Sequence, residues 1–194
     1  MNVFPIYNIL VVPDANIYIK TDTYEKVTGK TAVADDKLVV IVAKEDLSRE
    51  DFTSDSFYPI GLRATIAEVN PNGFIMLRTA NRVNIDDVAV YRDHTIDLTI
   101  SRRNDINDLD PEEARRKLYA VKTQMMKFSE GLQWGQAARG FIAQWNSIAE
   151  AAVVMSPWML NSNSERYAVL AEDSVAKRTE LLEKMIYENL EMNK

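Results

Sequence analysis

Gly29-Lys30-Thr31 has the chemistry that ends a phosphate-binding loop, where backbone amides wrap phosphate oxygens and a lysine meets their charge. The complete loop needs a glycine five residues before Gly29, between a strand and a helix. That position holds Tyr24, and the local pattern puts the tripeptide inside or at the end of a short helix. Nucleotide binding is therefore not expected. His94 is the single histidine and there is no cysteine, so a His-based triad or metal site, a thiolate site and a disulfide framework are all disfavoured. The adjacent carboxylates Asp86-Asp87, Glu112-Glu113 and Glu172-Asp173 fall at turns or helix starts, where solvation or the helix dipole accounts for them. No catalytic, metal or cofactor-binding residue is assigned to this chain.

The residues best suited to contact another molecule are large, apolar and close to helix breaks. Trp134 stands beside Gly135, and Met155, Trp158 and Met159, with Leu160, surround Pro157. Thioethers repack readily and an indole brings large area with one polar edge, so Trp134, Met155, Trp158 and Met159 are candidate substrate-binding residues. The same residue types pack helical cores, and the pattern alone leaves both readings open.

Net charge bounds the partners. The 194-residue chain carries −6 at neutral pH with a pI of about 4.9. Nucleic-acid affinity comes from neutralising phosphates with Lys and Arg, so no nucleic-acid partner is expected. The apolar amino terminus lacks a basic leader and is broken by Pro5 and Pro13, so no membrane span is expected and the chain is read as cytoplasmic.

The first hundred residues follow a period of two. Val3 to Val12 and Asn16 to Lys20 read as strands, and a short helix capped by Thr21 or Asp22 runs to about Ala34. Lys37 to Lys44 is a β-branched run that fits a strand buried on both faces. Glu45 to Ser56 is polar and acidic, and reads as a surface loop. Tyr58 to Ile85 reads as a β-hairpin about Asn70-Pro71-Asn72-Gly73, and Val88 to Arg102 as a further strand with one wet face. This predicts a mixed sheet or partly closed barrel over residues 1–103.

At Asn104 the period changes to that of helices. Asp110-Pro111-Glu112-Glu113 starts one, with Ala114, Leu118, Val121, Met125, Phe128 and Leu132 as its apolar seam. Gln136 to Met155 reads as a second helix, stopped before Pro157. Ser164 then caps a short helix, and Asp173 or Ser174 caps a last one striped by Leu181, Leu182, Met185, Ile186 and Leu190. Residues 104–194 are thus expected to form a helical bundle. The last helix reaches the end of the sequence without a stop signal, which leads us to expect a longer parent protein.

Several of these residues together resemble the amino-terminal domain of the Lon protease family. They are Phe4-Pro5-Ile6 with Ile9 to Pro13, the KLVVIVAKED run from Lys37 to Asp46, the hairpin with Gly61, Gly73 and Arg82, and Leu170 with Asp173, Val175, Lys177, Arg178, Leu181 and Leu182. Where the family opens with Pro-Leu-Arg-Asp this chain has Pro5-Ile6-Tyr7-Asn8, so any contact of that Arg or Asp is not carried over. The resemblance implies an α+β fold, a PUA-like mixed sheet or partly closed barrel followed by a C-terminal helical bundle. It also implies recognition of unfolded, damaged or tagged proteins and support of a homo-oligomer, with ATP and magnesium used in a downstream ATPase domain and not here. A stand-alone Lon-domain adaptor without a protease is the alternative.

Overall fold

The computed structural model describes residues 1–192, which divide into two compact units. The first holds Met1–Asp105 and Ser162–Ala171, and the second holds Ile106–Asn161 and the chain from Glu172 onward.

The first unit is built on a sheet of β1 (Asn2–Ile6), β2 (Asn16–Lys20), β3 (Lys37–Val42), β4 (Ile60–Asn70), β5 (Phe74–Val90) and β6 (Ile96–Arg102). Its order is β1-β3-β4-β5-β2, with β6 on the far half of β5. β1 runs parallel to β3, and every other pairing is antiparallel. The register shifts at Leu62/Ala64, Ile66/Glu68 and Ile85/Asp87. Such irregularities bend a strand and increase its twist, and the sheet curls into a half-barrel. Of the two forms that the sequence allows, the partly closed barrel is the one found.

β3 is buried along Leu38 to Val42, as a two-sided core strand must be. On one side Val39, Ile41 and Ala43 pack with Phe52, Phe57 and Val83. Phe52 thus withdraws one residue of the expected surface loop into the core, where its ring lies 5.1 Å from that of Phe57. The β4–β5 turn closes with the Gly73 N–H donating to the Asn70 carbonyl at 3.1 Å, and Gly73 takes a φ of 93° that a side chain would strain. Gly61 answers a different need, close approach. A Cβ there would meet the Val40 carbonyl at 2.7 Å and Ile85 Cδ1 at 2.9 Å.

Three local expectations change. Val3 to Val12 is not one strand, because Asn8 adopts a φ of 57° and donates its N–H to Asn163 Oδ1 at 2.7 Å, yet Leu10, Val11 and Val12 stay buried. The strand expected from Val88 is instead the end of β5, a turn with His94 at φ 69°, and then β6. Helix α1 (Thr21–Thr28) stops early, at Gly29, whose N–H donates to the Glu25 carbonyl. Its cap residue is Lys20, which makes no side-chain capping bond, so neither Thr21 nor Asp22 serves.

Helix α5 (Asn163–Ala171) lies within the stretch 104–194 read from the sequence as a helical bundle, and its contacts group it with the first unit. Asn163 Nδ2 donates to the Ala43 carbonyl at 2.9 Å, and Tyr167 stacks on Tyr58 with ring centroids 4.0 Å apart. The firmest tie is Arg82, which is 1% exposed. Its Nε donates to Asp105 Oδ1 at 2.7 Å, Nη1 to the Leu170 carbonyl at 3.1 Å and Nη2 to the Asn104 carbonyl at 3.3 Å. Arg82→Met removes the charge and strands these acceptors, and is expected to lower stability by about 3 kcal/mol. Urea denaturation measures this, and a loss under about 1 kcal/mol would show that the contacts are redundant.

Candidate functional site

The second unit contains all four candidate contact residues and explains where each one points. Its helices are α2 (Pro111–Ser129), α3 (Gly135–Ala143), α4 (Ile148–Met155) and α6 (Val175–Met192). α2 starts as its sequence demands, with Asp110 accepting from the Glu113 N–H at 3.2 Å and Pro111 at the first helical position. The expected single helix from Gln136 to Met155 is two. Ser147 caps α4 by accepting from the Glu150 N–H, and Glu150 reaches back to the Asn146 N–H, one residue before the N-cap whose N–H a capping box of this Ser-x-x-Glu spacing would use.

Trp134 precedes α3 at a tight corner. A Cβ on Gly135 would lie 2.2 Å from the Ser129 carbonyl, so only glycine lets α3 start so close to the end of α2. The corner leaves Trp134 61% exposed, and Arg139 pairs with Glu130 at 3.0 Å across it. Further along α3, Phe141 is also exposed and meets Trp145 edge-on, while the buried Trp145 Nε1 finds no acceptor among the described residues.

Met155, Trp158 and Met159 lie together where α4 ends. A 3-10 turn, Ser156–Trp158, follows, and Met159 continues it in extended form. The change from turn to extended backbone at Met159 separates the neighbours: Trp158 is 69% exposed, Met159 is 5% exposed and Leu160 is 71% exposed. Met159 is therefore an interior residue and Met155 is half-buried, while the candidate Trp158 faces outward. Leu160, outside the assigned set, takes the exposed place.

Asn189, a residue that the sequence reading passed over, holds this segment. It is 3% exposed on α6, accepts from the Leu160 N–H at 2.8 Å, and donates through Nδ2 to Asn161 Oδ1 at 2.9 Å and to the Met185 carbonyl at 2.7 Å. The signal was a polar residue inside the apolar stripe of α6, between Ile186 and Leu190. The helix itself is fixed at both ends of its first half. Lys117 on α2 meets Glu183 at 2.7 Å, and that carboxylate holds the amine above its ordinary pKa. At the start of α6, Asp108 accepts from the Ser174 hydroxyl and from the Ala176 N–H at 2.9 Å, and these bonds hold its carboxyl below the usual range. Ser174 in turn caps Lys177.

The chemistry of this surface is that of apolar contact. Among the described residues no group of His, Asp or Glu could hold a metal ion, and no helix is long and apolar enough to cross a membrane. Gly29-Lys30-Thr31 follows the carboxyl end of α1, so it stands at the carbonyl end of that helix and not at the amide end that a phosphate-binding loop uses.

Comparison with known proteins gives a consistent result. The family model for the ATP-dependent protease La (LON) substrate-binding domain matches residues 1–188. The chain is similar in structure to the N-terminal domain of Mycobacterium avium complex Lon protease, with a TM-score of 0.63 and 14% identity over 96% of this chain and 97% of that one. It is also similar to a Lon N-terminal domain protein from Xanthomonas campestris, with a TM-score of 0.51 and 15% identity over 94% and 95% of the two chains. At these identities the likeness is one of fold. No curated protein sequence matches the chain.

Two outcomes test the segment and its support. Asn189→Ala leaves the Leu160 N–H without its acceptor and should cost about 2 kcal/mol, with the Leu160 amide exchanging hydrogen markedly faster. For Asp108, the folded carboxyl titrates below the unfolded value of about 3.9. Its bonds thus stabilise the fold above about pH 4, and the stabilisation is lost as pH falls through the folded value. Asp108→Asn should flatten the fall of thermal midpoint between about pH 5 and about pH 2; an unchanged slope would remove Asp108 from the acid response.

Proposed function

Because the chain belongs to the substrate-binding domain family of the ATP-dependent protease La, or Lon, we propose that it is the substrate-recognition region of such a protease. In this reading it holds unfolded or damaged proteins weakly, by apolar segments that a folded protein hides. The family match over residues 1–188 carries the proposal. The outward Trp158 and Leu160, held in place through Asn189, support it with suitable chemistry. A single indole and isobutyl contact is weak, but in a homo-oligomeric parent several copies act on one client and avidity rises without new contacts. ATP and magnesium would be used by other parts of that cytoplasmic protease, and this chain contributes binding and not catalysis.

The test is fluorescence anisotropy of a labelled, permanently unfolded protein titrated with this chain, with the folded form as control. Weak saturable binding of the unfolded form alone is expected, and Trp158→Ala should weaken it about fivefold. Binding of neither form would remove the proposal. Binding of the folded form alone would make the chain an adaptor for a folded partner.

A further inference from the structure

The first unit carries a surface of a different kind at the β2 end of its sheet. β2 is the terminal strand, paired with β5 on one side and with no strand on the other among the described residues. Flanking bonds set which backbone groups are free: the Thr79 N–H donates to the Ala15 carbonyl, and the Thr21 N–H donates to the Gly73 carbonyl, both at 2.9 Å. Antiparallel alternation then turns the groups of Ile17 and Ile19 toward β5 and those of Asn16 and Tyr18 toward the open edge. Ile17 and Ile19 bury their side chains while Asn16, Tyr18 and Lys20 face solvent, with Tyr18 62% exposed. Pro13 lies before the strand and none lies in it, so each outward residue of β2 keeps an N–H to donate.

The rows that lead inward from this edge are cationic and aromatic. Asn16 is opposite Arg78, and the row continues through Thr65 to Lys37. Tyr18 is opposite Met76, and Lys20 is opposite the exposed Phe74. Lys20, Lys37 and Arg78 are exposed and none is in an ion pair among the described residues. Glu68, opposite Met76, is the one carboxylate of these rows. A chain of net charge −6 thus gathers positive charge around Tyr18 on this face.

We propose that the β2 edge takes an extended acidic peptide segment as an added strand, with acidic residues two positions either side of an aromatic one. The backbone groups of Asn16 and Tyr18 supply the ladder. Opposite Tyr18 the guest places its aromatic ring, opposite Lys20 one carboxylate, and opposite the short Asn16 a second that reaches Arg78. The proposed contacts all come from the first unit and Trp158 belongs to the second, so Trp158→Ala should bind the peptide like the unaltered chain, and failure here leaves the preceding proposal standing.

The experiment is anisotropy of a short labelled peptide in which glutamates sit two residues either side of a tyrosine, titrated with the chain at low salt. Saturable binding is expected, weakened about tenfold by raising salt to about 0.5 M and about tenfold by Arg78→Glu. Tyr18→Pro removes an outward N–H that β5 does not use, and should abolish binding where Tyr18→Ala only weakens it. Thermal melts check each fold, and if Tyr18→Pro does not fold, Lys20→Glu and Arg78→Glu still decide. Equal binding of a peptide with lysines for the glutamates, or wild-type binding by Arg78→Glu, overturns the proposal. So does tighter binding of oligothymidylate, which would make the face a nucleic-acid site, or dimerisation of the chain through β2.

Discussion

A single guanidinium organises the first unit. Arg82 is among the largest fully buried side chains, and a buried charge is tolerated only where its donors find acceptors. Its bonds join three stretches of chain: β5 presents the arginine, Asn104 and Asp105 meet it as the chain leaves β6, and Leu170 answers from the carboxyl end of α5. The carbonyls at a helix carboxyl end have no partner within the helix, so a cation there satisfies both sides. Hydrophobic burial would let α5 slide along the sheet, whereas directed bonds to Leu170 fix its position. The Asn163 and Tyr167 contacts at the other turns of α5 then follow from one placement.

Legibility from sequence tracked how local each determinant is. The turn at Asn70 to Gly73, the two-sided burial of β3 and the Asp110 cap depend on residues a few positions apart, and the chain forms them as its pattern requires. The breaks that were missed depend on partners far along the chain. Asn8 leaves the strand because Asn163 is waiting for its N–H, and Phe52 turns inward because Phe57 and Val39 make a pocket for it. Ser147 and Glu150 are the exception, a local cap that a run of apolar residues on both sides concealed.

The candidate surface shows the same division. Proline and glycine marked where large apolar residues would stand at chain breaks, and Trp134 and Trp158 do stand there, exposed. Which neighbour faces inward was not legible, since it follows from the extended backbone at Met159 and from Asn189, whose role depends on Leu160 and Asn161 meeting it across α6. A polar side chain in an apolar stripe has a physical reason to be there, and here the reason is a backbone segment that it anchors.

The excursion of residues 162–171 into the first unit has a consequence for birth on the ribosome. A domain whose parts are contiguous can close as soon as its last residue clears the exit tunnel. Here Arg82, Asp105 and the sheet around them emerge early, while Leu170 and Tyr167 come only after α2, α3 and α4 have been made. Until then the nascent sheet holds a buried-type arginine and an open slot for α5, so the first part translated is among the last to finish folding. A chaperone or a pause in translation near Ala171 would act on that waiting state.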